Sequence, residues 1–133
     1  MAAIFGFSVD AGRLDTGQPA IPRTADATVC FFPVPGGAGE FPAGTYPSDF
    51  SEAHGPGIVV YRCTCDTKAE LLESPWALTG TPVAVGEVGY RLGTILLGFQ
   101  APRTVIVGLY VVPGGDAALI AERDLVERLL TAP

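Results

Sequence analysis

A mainly β domain, an antiparallel β-sandwich or small β-barrel with one C-terminal helix, is what three features of the sequence predict. The second half of the chain is a close succession of short runs rich in Val, Ile, Leu, Thr and Tyr, residues that suit a pleated, buried surface. Gly and Pro punctuate those runs at intervals too short for helices. One amphipathic stretch follows the last run, behind Pro113-Gly114-Gly115, and reads as a terminal helix. An α+β sheet with one covered face is the alternative.

Taken in order, residues 2–9 (AAIFGFSV) predict a short strand. Residues 10–57 form a Pro- and Gly-rich extended arm or long loop, and the stretch 33–57 alone holds five Pro and six Gly. Pro removes a backbone donor and Gly raises the entropy lost on ordering, so regular structure is disfavoured there. Only Ala27–Phe32 (ATVCFF) reads as a strand within it. Yet Phe31, Phe32, Phe41, Tyr46 and Phe50 recur along the segment, and solvated linkers seldom carry such rings. The pattern predicts a segment laid on a surface, either its own sheet or a neighbouring subunit.

Residues 58–133 form the compact core of the single domain. Gly57–Thr64 (GIVVYRCT) is its first strand. Thr67-Lys68-Ala69-Glu70 has the spacing of a capping box, so a short helix follows over about Lys68–Glu73 and stops before Pro75. Thr81–Val85 and Glu87–Leu92 read as strands turning near Gly86, and Thr94–Phe99 and Arg103–Val112 as the strongest strands, turning at Pro102. The last is apolar at alternate positions on both sides: Val105, Val107, Leu109 and Val111 on one, Ile106, Tyr110 and Val112 on the other. Such a strand lies between two layers. One is a second sheet or the terminal helix, the other a subunit interface. Asp116 is the expected N-cap of a helix to about Leu130. Its apolar face carries Ala118, Leu119, Leu125, Val126, Leu129 and Leu130, with Asp124 and Arg128 spaced i, i+4 on the polar side.

Length and composition bound the function. A chain of 133 residues with 48% hydrophobic residues supports one globular core. Fourteen acidic residues oppose eight basic ones, a net charge of −6. Such a surface repels phosphate backbones, so nucleic acid is not an expected partner. The most apolar window, Gly93–Val112, is interrupted by Gln100, Pro102 and Arg103, which argues against a membrane span. No secretory signal is read in Met1–Val9. The expectation is a protein made in the cytoplasm without a signal peptide, in a virion if it leaves the cell.

Three groupings carry potential chemistry. Cys63 and Cys65 share a strand face, Cys30 lies on another predicted strand, and with His54 they make up a candidate Cys₃His metal set. Cys-x-Cys on a strand lacks the turn of a zinc knuckle, so the plainer reading is small buried hydrophobes. A disulfide from Cys30 to one of the pair is the oxidised alternative. The cluster Asp49-Phe50-Ser51-Glu52-Ala53-His54 gathers a hydroxyl, two carboxylates and the only His. Adjacent residues rarely converge as a catalytic triad requires, and no nucleophile elbow is present. The Gly36-Gly37-Ala38-Gly39 run lacks the Lys-Ser or Lys-Thr of a phosphate-binding loop. No cofactor and no catalytic residue is assigned.

The sequence therefore predicts a non-enzymatic structural protein that packs against other subunits, self or foreign. Phe31, Phe32, Phe41, Tyr46, Phe50 and Trp76 are its candidate interface residues. The setting expected is a tailed-phage virion, as a capsid-decorating, head–tail joining or tail component, in homo-oligomeric form. A small-ligand-binding β domain is the alternative, and a small hydrolase or metal-site enzyme comes last.

Overall fold

The structure, a computed structural model, describes residues 2–6, 9, 13–14, 28–34, 57–64, 66–110 and 112–132. They form the elements α1 (Ala2–Phe5), β1 (Arg13–Leu14), β2 (Thr28–Pro33), β3 (Gly57–Cys63), α2 (Lys68–Leu72), α3 (Pro75–Thr79), β4 (Thr81–Pro82), β5 (Val88–Leu92), β6 (Ile95–Gln100), β7 (Arg103–Tyr110) and α4 (Asp116–Thr131). The fold is mainly β with a C-terminal helix. All the strands join one antiparallel sheet in the order β1-β2-β3-β7-β6-β5-β4.

Among the described residues no second sheet faces the first. The layer set against it is α4, so the helix supplies the cover that a sandwich would draw from another sheet. Alternation along the strands divides the apolar residues between two cores. Ile58, Val60, Leu96, Val105, Val107 and Leu109 face α4 and meet Ala118, Ala121, Leu125, Val126 and Leu130. On the other face Val29, Phe31, Val59, Tyr61, Leu97, Phe99, Ile106 and Tyr110 form the second core, joined by Leu71 of α2 and, at its margin, Trp76 and Ala77 of α3. From Thr104 to Tyr110, β7 is buried within its own chain on both sides. The second face, read from sequence as an intersubunit layer, is thus occupied without a partner.

Several local readings change. Residues 2–5 are helical rather than extended. Two alanines favour a helix, Phe5 is buried beneath α4, and Gly6 follows at φ +78, a conformation that ends helices at little cost in glycine. Thr67 caps α2 as its spacing predicts: Glu70 N–H donates to Thr67 Oγ1 at 3.2 Å, and that hydroxyl donates to Glu70 Oε1 at 3.0 Å. Pro75 does more than stop α2. It occupies the first turn of α3, where its missing N–H is not needed. Beyond β4 the strand is lost, because Pro82 has no N–H to donate and Val85 N–H turns back to Val83 O at 2.9 Å. Val112 lies past the end of β7 and joins the core under α4, not the Ile106 side. Asp116 lies in the first turn of α4 and Gly115 is the N-cap. The Asp124–Arg128 pair forms as spaced, at 3.1 Å.

Helix and sheet approach closely at Gly98. A Cβ there would stand 2.5 Å from Val126 Cγ1 and 3.0 Å from Leu130 Cδ1, so the absent side chain is what admits α4. Two arginines then fasten the helix by its length. Arg123 donates through Nε and Nη2 to Ala84 O at 3.0 and 2.7 Å. Arg103 Nη1 donates to Leu129 O and Ala132 O, carbonyls at the helix end that lack intrahelical partners.

Candidate functional site

Two places on the described surface and interior depart from what a plain helix-on-sheet fold needs. The first is the α2–α3 elbow against β5. These helices have five residues each, too few to bury a full apolar face. Leu71 turns inward and Trp76 is half-buried, but Leu72 is 51% and Leu78 84% exposed. Leu78 is the most exposed large apolar residue in the described chain. Covering a leucine completely is worth roughly 1.5–3 kcal/mol, so this elbow has apolar area to offer a partner.

The second is a buried carboxyl–guanidinium pair beneath α4. Glu122 is fully buried, and its Oε1 accepts from Arg91 Nη1 at 2.7 Å. Arg91 also reaches Leu119 O and Gly93 O, both at 3.4 Å. Glu122 Oε2 is buried with no hydrogen-bond partner. Burial pushes the Glu122 carboxyl up to about 8, against the opposing pull of the Arg91 charge and hydrogen bond. The Tyr110 phenol is also raised, first by burial and then by the Glu122 charge. A carboxyl tuned towards neutrality is the type that general acids and bases use. Here it is sealed from solvent and held by one arginine, which fits a structural pair better than a reacting centre. The sequence carried a signal for it: Glu122 lies four residues after Ala118 and four before Val126, inside the apolar stripe.

Of the sequence-predicted residues, those that the structure describes do not gather into one site. Phe31 is 0% exposed and belongs to the second core of its own chain, so its ring leaves no surface for a neighbour. Phe32 is half-buried at the edge of the core under α4. Trp76 sits on the elbow. Phe41, Tyr46, Phe50, His54, Cys65 and the Asp49–His54 cluster lie outside the described residues.

Cys30 and Cys63 are separated by the pleat. Cys30 stands opposite Val60 in the β2–β3 register, and its neighbours Val29 and Phe31 face the second core, where Cys63 also lies. Cys30 therefore points to the other side of the sheet. It is a free thiol, whereas Cys63 is disulfide-bonded. A Cys30–Cys63 disulfide is excluded, and so is a metal set holding both. Asp66 Oδ2 lies 3.5 Å from Cys63 Sγ, a contact only, because an oxidised sulfur has no proton to donate. Among the described residues no three His, Cys, Asp or Glu side chains converge as a metal site, and no helix is long and apolar enough to cross a membrane.

Comparison with known proteins returns no match to a family model, to a curated protein or to a solved structure.

Proposed function

We propose that the protein is a non-enzymatic structural subunit that packs against other subunits, and that its setting is a tailed-phage virion, as a decorating, joining or tail component. The observation that supports this reading best is the α2–α3 elbow. Leu72 and Leu78 stand exposed on consecutive short helices, with Trp76 between them in sequence. A ring half-covered by its own chain and flanked by exposed leucines suits a docking anchor. The rings Phe41, Tyr46 and Phe50, on a segment whose composition disfavours regular structure, are the second contact in the proposal.

The test is solution mass, by light scattering or native mass spectrometry, on the wild type and two variants. Leu72→Ser with Leu78→Ser removes the elbow contact, and Phe41→Ser with Tyr46→Ser and Phe50→Ser removes the rings. The expected result is an oligomer that each variant weakens while the monomer stays folded. A wild-type monomer, or an oligomer unchanged in both variants, rejects the subunit-packing reading. Capsid, portal or tail genes beside this one are the expected genomic setting, and metabolic genes there would reject the virion.

A further inference from the structure

Beyond the end of α4, the sheet face that the helix covers changes character. Under the helix it is Val60, Val105 and Val107. Past it the same face carries Thr28, Arg62, Thr64 and Arg103, which line a cavity of about 230 Å³ with Val105 and Leu129 on its apolar side.

The register explains the convergence. Thr28 is directly opposite Arg62 across β2–β3, and Arg62 is directly opposite Val105 across β3–β7. Continuing that ladder by one residue past Cys63↔Thr104 sets Thr64 beside Arg103. Arg62 and Arg103 are then diagonal neighbours on adjacent strands, within reach of one another's long side chains. Among the described residues no carboxylate lines the cavity, although acidic residues outnumber basic ones fourteen to eight in the chain.

The two arginines are not equivalent. Arg103 is anchored, with Nη1 on the carbonyls of Leu129 and Ala132, so part of its charge offsets the negative end of the α4 dipole. Arg62 has no such duty. Among the described residues Arg91 and Arg128 each hold a carboxylate and Arg103 and Arg123 hold carbonyls, but Arg62 is exposed and engages no acceptor. One fixed guanidinium, one uncommitted guanidinium and two hydroxyls around a small hollow are the donor set for an oxyanion. The hollow is smaller than the roughly 300–1,000 Å³ of sites for drug-sized ligands, which limits the occupant to a compact group.

We propose that the Thr28–Arg62–Thr64–Arg103 cavity binds a small oxyanion, a phosphate or a compact carboxylate, with Arg62 as the principal ligand and Arg103 as the pre-set second one. This site is independent of the subunit-packing surface on the α2–α3 elbow.

The experiment is calorimetric titration of the intact chain with inorganic phosphate and, separately, succinate, in chloride buffer of constant ionic strength. Saturable binding of one anion per chain is expected, weakened about tenfold or more in Arg62→Ala and less in Thr64→Val. Arg128→Ala removes the same charge from the exposed Asp124–Arg128 pair, which is not part of the cavity lining, and should bind as the wild type does. Because Arg62 is exposed, Arg62→Ala should keep the wild-type circular dichroism and thermal midpoint without ligand. Binding of phosphate alone, succinate alone or both supports the site and identifies its ligand. No saturable binding of either anion, wild-type affinity in Arg62→Ala, or equal weakening in Arg128→Ala overturns the proposal, the last by reducing it to general charge attraction.

Discussion

Replacing Glu122 by Gln tests the energetics of the buried pair directly. The side chain is completely enclosed, its Oε1 rests on Arg91 Nη1 and its Oε2 has no hydrogen-bond partner. Burial lifts its carboxyl from 4.5 to about 8 in the folded chain, while in the unfolded chain it titrates as an ordinary glutamate. Between those values the folded state keeps a proton that the unfolded state has released, so raising the pH favours unfolding. The contribution is fully present below about 4.5 and is lost as pH rises through about 8. The gap corresponds to a slope of about 1.4 kcal/mol per pH unit and a total near 5 kcal/mol at most. Gln has nearly the same shape, keeps an oxygen for Arg91 and does not titrate. Urea unfolding of both proteins from pH 5 to pH 9 at fixed ionic strength gives the comparison. The wild type should lose several kcal/mol relative to Glu122→Gln across that range. A constant difference would refute the reasoning. A wild type that gains on the variant with rising pH would show instead that Arg91 holds the carboxylate ionised.

Two further outcomes follow from packing and from the thiols. Gly98→Ala drives a methyl into Val126 and Leu130, so α4 must lift and stability should fall by about 1–3 kcal/mol; an unchanged thermal midpoint would mean the helix seat is looser than described. Alkylation without reductant under denaturing conditions, read by peptide mass spectrometry, should label Cys30 and leave Cys63 unlabelled until reduction, and labelling of Cys63 at the first step would contradict its oxidised state.

Much of the sheet was legible because local and global signals agree there. In β3, β6 and β7 the β-branched runs, the turn at Pro102 and the final pairing all point the same way. The terminal helix was legible for the same reason, down to the Asp124–Arg128 pair. What sequence could not supply was the identity of the covering layers. Two apolar faces on β7 state that both are buried, not by what, and the layer assigned to a neighbour proved to be intramolecular. Residues 2–5 misled because four apolar residues satisfy a strand or a helix equally, and only burial of Phe5 beneath α4 decides. The oxyanion cradle was invisible because Thr28, Arg62, Thr64 and Arg103 are scattered in sequence and meet only through register.

The margin of the sheet at β4 bears on whether its ladder can be extended by another backbone. That strand is two residues long and ends in Pro82, which has no amide proton to hand to an incoming backbone. Extension of the ladder from one molecule to the next is therefore blocked along that side. Contacts across it fall to side chains, and this edge offers no template for strand-upon-strand growth.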